Sequence, residues 1–313
     1  MAWALDRIPD LAGRVALVTG ANSGIGFETA RALARHRAET VLACRDLDKG
    51  RHGCRAYPSG NSGGQTSLFV ARLTLPISTP VTMGAATYPR TFTRLDILIC
   101  NAGVMVPPYG QTKQGFELQF GTNHLGHFAV IGRLMPVLIA SGSARVVVVS
   151  SLAAHFGHID FDDLQWQRRR YAKWPAYGQS KLANLVFALE LARRLAAGES
   201  AVSAFAAHPG GARTDLQRNL GWLRGLSRNP LMAGSALQGA QPSLRAATHS
   251  SAHNGSYWGP SGRMGLRGSP AGLRIPARAL NPDTADRLWS VSEALSGVSI
   301  PLPAGLAGDA ANA

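Results

Sequence analysis

At 313 residues, 45% hydrophobic and 16% charged, the chain has the apolar content for one large α/β domain or two small ones. No run of about 18 apolar residues occurs, and Met1 to Arg14 carries Asp6, Pro9 and Asp10 where a leader would need an apolar core, so neither a membrane span nor a secretory signal is expected. The net charge of +14 sits in two acid-free stretches, six Lys or Arg from Lys49 to Leu95 and eight Arg from Leu216 to Pro282; neither has interleaved aromatics to stack bases, which argues against nucleic-acid binding.

Arg14 to Val18 reads as a buried strand that ends in a glycine turn, Thr19-Gly20-Ala21-Asn22-Ser23-Gly24-Ile25-Gly26. Phe27 to Ala34 follows as a helix. Strand, glycine turn and helix are the context in which such a turn holds a pyrophosphate, because the backbone approaches closely and the helix N-terminus offers free N–H groups. Thr40 to Cys44 is the second strand and ends at Cys44-Arg45-Asp46. Ser67 to Ala71 is the third. Residues 51–94 are otherwise irregular: Pro76, Pro80 and Pro89 stand among threonines where a helix should separate strands three and four. Two accounts fit that segment, a compensated reading-frame shift between intact flanks or a divergent loop.

Leu95 to Cys100 is the fourth strand, ending at Asn101-Ala102-Gly103. A helix is expected from about Gly115 to Leu138, and Arg145 to Val149 is the fifth strand, leading to Ser150-Ser151. Asp160, Asp162 and Asp163, followed by Arg168, Arg169 and Arg170, read as a solvated turn. Tyr177 and Lys181 then stand one turn apart on a helix that reaches about Leu195, with Leu182, Leu185, Val186 and Leu189 toward the sheet. A phenol beside a fixed ammonium is a proton donor and acceptor whose pKa the cation would lower toward neutrality. Ala201 to Ala207 is the sixth strand. Residues 216–282 are a second irregular stretch with apolar islands at Leu220 to Leu223 and Leu231 to Ala233. Within it, Ser235 to Thr248 reads as a helix despite Pro242, and Gly255 to Gly272 as loop. Asp283 to Leu295 closes the chain as a helix before a flexible tail, 304–313.

Strands alternating with helices predict a single α/β domain over 1–303, a Rossmann-type doubly wound parallel sheet with helices on both faces. Cys44, Cys54 and Cys100 have neither metal nor disulfide spacing, which points to a reducing, cytoplasmic setting. His124 and His127 are spaced for one helix face, as zinc ligands can be, yet the same spacing suits packed histidines, and no metal is expected.

In these motifs and their order over roughly residues 10–215, the chain resembles the short-chain dehydrogenase/reductase family. Thr122 to Phe128, Ala43 to Asp46 and Tyr177 to Asn184 make it most similar to the retinol dehydrogenase and protochlorophyllide reductase-like group. The resemblance implies a nicotinamide cofactor held by Gly20, Asn22, Ser23, Gly24, Ile25, Gly26, Asn101, Ala102, Gly103, Tyr177, Lys181, Pro209, Gly210 and Thr214. It implies that Tyr177 exchanges a proton with the substrate oxygen, that Lys181 lowers its pKa and holds the ribose, that Ser151 bonds the substrate oxygen, and that Asn123 helps hold a water. Ser150 competes with Ser151 for that role. Thr74 stands where the family often places an Asp near the adenine. Arg45 at the end of strand two favours NADP(H) over NAD(H), since a guanidinium can fork a 2′-phosphate. The substrate implied is a lipophilic alcohol or its carbonyl, covered by 216–282. The alternative is an NADP(H)-binding sensor or scaffold without turnover. Relatives pair through the helices after strands four and five, so a homodimer or homotetramer using Phe187 and Leu191 is expected.

Overall fold

A computed structural model describes residues 3–55, 68–72, 92–211 and 234–303. Thr74, Thr214, both apolar islands and most of the irregular segment 51–94 lie outside the described residues.

Among the described residues, eight strands form one sheet: β1 Val15–Thr19, β2 Glu39–Cys44, β3 Leu68–Arg72, β4 Ile97–Cys100, β5 Arg145–Val149, β6 Ser203–Ala207, β7 Tyr257–Pro260 and β8 Pro270–Gly272. Their spatial order is β3-β2-β1-β4-β5-β6-β7-β8, parallel except for the last pair. The near-continuous apolar runs explain this. β1 is buried at every position, as a central strand covered on both faces must be. The registers Leu17↔Val41 and Leu17↔Leu98 place β1 between β2 and β4. The chain reverses direction across the sheet between β1 and β4, so a crevice opens beyond their carboxyl ends.

Asp96 fastens the opposite edge. It is 2% exposed and accepts hydrogen bonds from Val15 N (2.9 Å), Arg14 Nη1 (2.7 Å) and the Arg94 guanidinium (both 2.7 Å). Burial alone would raise its pKa, but these donors outweigh it and hold the carboxyl below its usual range.

The helices are α1 Gly24–Arg35, α2 Leu47–Arg55, α3 Leu118–Phe120, α4 Gly126–Ala140, α5 Lys173–Ala197, α6 Ala236–Thr248 and α7 Pro282–Ser296. The expected helix from Gly115 begins at Leu118. Glu117 caps it, and a π turn, Gly121–Leu125, joins α3 to α4. In α5, Leu182, Leu185 and Val186 are buried toward the sheet as predicted. Ser235 and Gln238 form a reciprocal capping box on α6, which accommodates Pro242.

Three expectations are corrected. Gly255 to Gly272 is not all loop: β7 extends the sheet by pairing with β6 (Ala206↔Tyr257), and β8 closes its edge, where proline is tolerated. The Asp/Arg segment is only partly solvated. Asp163 is buried and accepts Gln167 N (2.7 Å), while Arg169 pairs with Asp160 (2.5 Å) and stacks 3.8 Å over the Trp166 ring. Phe187 and Leu191 are not available for pairing. They are 2% and 0% exposed, and α7 covers this face through Trp289, whose ring lies 5.8 Å from Phe187 and 5.5 Å from Phe128.

Candidate active site

The glycine turn after β1 and the Asn101-Ala102-Gly103 turn after β4 meet at the crevice. Gly20 has φ +65°, and a Cβ there would lie 2.8 Å from Ala102 Cα. A Cβ on Gly26 would lie 2.5 Å from both Asn101 Nδ2 and the Gly20 oxygen. Only glycine permits so close an approach. Thr19 locks the two turns: its hydroxyl oxygen accepts Asn101 N and Ala102 N, each at 2.9 Å, and its carbonyl accepts Asn101 Nδ2 at 2.9 Å. Ser23 is the N-cap of α1 yet makes no side-chain cap bond. Asn22, Gly24 and Ile25 complete this turn.

β5 and α5 position Tyr177, Lys181 and the two serines. Ser150 and Ser151 part company here. Ser150 is 1% exposed and donates to the Lys181 carbonyl (2.7 Å), which holds α5 against β5. Ser151 is half-buried, caps the short 3-10 turn Leu152–His155, and stands beside the Tyr177 phenol, whose pKa it lowers. Lys181 Nζ donates to the Val149 carbonyl (3.0 Å), lies 5.9 Å from the Tyr177 ring centroid, and is drawn down to about 8 by burial. The sequence suggested a cation-lowered phenol. Instead burial pushes the Tyr177 phenol up to about 12, with Ser151 pulling the other way. The reason is geometric: the lysine head is aimed at a β5 carbonyl, and the phenol is nearly enclosed.

Asn123 is fully buried on the π turn. Its Oδ1 accepts Val104 N (2.8 Å), and its Nδ2 donates to the Val104 carbonyl (3.0 Å) and to Ser180 Oγ (2.9 Å). A Cβ on Gly103 would lie 3.0 Å from Asn123 Oδ1 and 3.7 Å from Lys181 Nζ, so these three residues converge. After β6, Gly210 N donates to His208 Nδ1 (3.1 Å), which shapes the Pro209-Gly210 turn. Arg45 is exposed at the end of β2.

Met105, Val106 and Ala153 pack around Tyr177. Trp174 stands edge-on to it at 6.3 Å, and Phe156 lies over Gly178. Phe156 and Trp174 are both exposed, giving the site an apolar rim. Sequence reasoning missed the support of this wall. Gln119 Oε1 accepts Val106 N (2.9 Å), Gln119 Nε2 donates to the Tyr171 hydroxyl (2.9 Å), and Tyr171 donates to Glu117 Oε1 (3.0 Å). Burial raises the Glu117 carboxyl pKa despite these donors. The only sequence signal was an acid at a helix start, which is common to many helices. His124 and His127 are packed histidines: His124 Nε2 bonds Ser292 Oγ (2.8 Å), and His127 bonds Thr19 and the Asn123 carbonyl.

The short chain dehydrogenase family profile matches residues 14–222. The chain belongs to the short-chain dehydrogenase family. Retinol dehydrogenase 12 of Mus musculus is 41% identical over 290 residues, covering 91% of this chain and 87% of that protein. Retinol dehydrogenase 13 of Homo sapiens is 40% identical, covering 92% and 86%. An uncharacterised protein from Mycobacterium paratuberculosis is similar in structure, with a TM-score of 0.79 and 39% identity over 96% of this chain and all of that one. Among the described residues, this short-chain dehydrogenase has no helix long and apolar enough to cross a membrane.

Proposed function

We propose that this short-chain dehydrogenase is an NADP(H)-dependent oxidoreductase that interconverts a lipophilic alcohol and its carbonyl. The observation that carries the reading is the convergence of three groups at the crevice between β1 and β4: the buried Tyr177 phenol, Ser151 close enough to lower its pKa, and Lys181 Nζ 5.9 Å from its ring. The crevice suits a dinucleotide. Gly20 and Gly26 leave a cradle that a Cβ would fill, and α1 opens behind it without a side-chain cap, so its first N–H groups are free for a pyrophosphate. Gly20 to Gly26, Asn101 to Gly103, Lys181 and the Pro209-Gly210 turn would hold the cofactor, with Thr214 assigned by sequence. Arg45 would take the 2′-phosphate. When bound, the nicotinamide supplies or accepts the hydride.

This chain's residues handle the proton. In reduction, Tyr177 gives its phenolic proton to the oxygen as the carbonyl carbon gains hydride; in oxidation it takes the proton back. A phenol at about 12 is fully protonated at neutral pH, which suits the acid role. Ser151 bonds the same oxygen and fixes its distance from Tyr177. Lys181, fixed by the Val149 carbonyl beside Tyr177, would hold the nicotinamide ribose, and Asn123 anchors the turn opposite. The apolar rim of Phe156 and Trp174, together with relatives named retinol dehydrogenase, supports a lipophilic substrate such as retinol. Cys44 and Cys100 are both buried, and a cytoplasmic location is the reading we adopt.

Tyr177→Phe tests the reading with retinol and NADP+. Turnover should fall about 10²–10⁴-fold, with NADPH affinity retained in a fluorescence titration. Turnover that survives the change would refute the assignment of Tyr177.

A further inference from the structure

His127 is 0% exposed, and each of its ring nitrogens has one partner from a different part of the site. Nε2 lies 3.0 Å from Thr19 Oγ1, at the end of β1. Nδ1 lies 2.8 Å from the Asn123 carbonyl, on the π turn. The proton positions follow from Thr19. Its hydroxyl oxygen already accepts two backbone donors, Asn101 N and Ala102 N, so its own proton is left to donate. The recipient is His127 Nε2, which must therefore be unprotonated. A neutral imidazole then carries its proton on Nδ1 and donates it to the Asn123 carbonyl.

We infer that His127 is a positioning residue, a one-tautomer imidazole that couples the Thr19 lock between the cofactor-side turns to the Asn123 carbonyl on the proton-transfer side. The chain of donors runs one way: Asn101 and Ala102 N–H to Thr19, Thr19 O–H to His127, His127 Nδ1–H to Asn123. From Asn123 it continues through Nδ2 to Ser180, whose hydroxyl donates to the Tyr177 carbonyl at 2.9 Å. A neutral ring is required, because an imidazolium would have no acceptor for Thr19 and would repel Lys181. Burial supports this by pulling His127 down to about 4. The ring thus fixes one lone pair of the Asn123 carbonyl and the setting of the π turn that carries it, without touching substrate.

This role rests on the acid–base reading of Tyr177, so one test is independent of it. In wild-type protein carrying 15N-histidine, the His127 signal, assigned by its loss in a His127→Asn variant, should show a protonated Nδ1 and an unprotonated Nε2 at pH 7. A protonated Nε2 overturns the inference whatever the enzyme's activity. The second test compares two variants in retinol oxidation. His127→Asn places an amide donor where Nδ1 stood and should keep kcat within about threefold of wild type. His127→Gln reaches Thr19 but leaves the Asn123 carbonyl without its donor, and kcat should fall about tenfold, the worth of one buried hydrogen bond. KM and the NADPH dissociation constant should stay within about threefold in His127→Gln, because its lost bond is on the reacting side, whereas His127→Asn, which leaves the Thr19 hydroxyl without its acceptor, should weaken NADPH while keeping kcat. Equal loss of kcat in the two variants, or a loss in His127→Gln confined to NADPH affinity, would overturn the inference. If neither variant gives a cooperative melt, the tautomer in the wild-type protein decides alone; if wild type does not turn over retinol, the substrate reading fails and the tautomer still decides the inference.

Discussion

Arg45 competes for its ligand only if its neighbour leaves it free. Asp46, next in sequence, would neutralise it, yet Asp46 is committed elsewhere. Its Oδ1 accepts the N–H groups of Asp48 (3.1 Å) and Lys49 (3.2 Å) at the start of α2, and its carboxylate lies 3.6 Å from Lys49 Nζ. The backbone hydrogen bond from Lys49 is the largest of the causes that hold its pKa below the ordinary value. The exposed guanidinium is thus available to a 2′-phosphate. Arg45→Ala should weaken NADPH about tenfold or more, the loss of a charge-assisted pair, and leave NADH unchanged. Fluorescence titration with both nucleotides measures this; equal weakening of the two would remove Arg45 from cofactor selection. Tyr177 and Lys181 were legible from their spacing, because i and i+4 share a helix face. Ser151 was chosen over Ser150 from its motif position alone, and what Ser150 does instead was not legible. It depends on which hydroxyl the long-range partner Lys181 engages, and adjacent serines give no sign of that. The raised pKa of Tyr177 was hidden for the same reason, since burial comes from residues far apart in the chain.

At the scale of elements, the central strands were readable because both of their faces are buried and their sequences are apolar throughout. β7 and β8 escaped because they are short and rich in Gly and Pro. They form as additions to an existing sheet edge rather than from local preference. α7 was readable as a helix, from Asn281 as its cap and Pro282 at its start, but its destination was not. It lies across α4 and α5, where Trp289 meets Phe128 and Phe187 and carries the Arg194 guanidinium 4.2 Å over its ring. A helix facing one way in sequence terms, as Phe187 and Leu191 suggested, was in fact covered on a second side by its own chain. Trp289→Ala should cost about 3–5 kcal/mol in a urea melt, and the uncovered aromatics should promote association visible by light scattering. Trp289→Phe should recover most of the loss. A change below about 1 kcal/mol for the alanine variant would mean that α7 is not held by this contact.

At the scale of the whole molecule, three histidines among the described residues are fully enclosed and neutral, His124, His127 and His208. Burial draws His124 down to about 3 and both His127 and His208 to about 4. Each is tied to a separate element: His124 to Ser292 of α7, His127 to Thr19 of β1, and His208 to the Pro209-Gly210 turn. In the unfolded chain a histidine titrates near 6.5. Between about pH 6.5 and 4 the unfolded state therefore binds up to three more protons than the folded one, and stability must fall as pH falls through that window. Each tenfold loss of proton affinity on folding is worth about 1.4 kcal/mol for each ring. Glu117 opposes this, since its carboxyl is raised and the folded state keeps that proton, but it is one group against three. Asp96 and Glu190, both lowered, reinforce the loss only below the ordinary carboxylate range. Urea midpoints measured at constant ionic strength should decline from pH 7 to pH 5. His124→Asn, which removes one of the three protons, should flatten that decline. A midpoint unchanged down to pH 5 would show that these rings are open to water in solution, and with them the junctions between α7, β1 and the turn after β6.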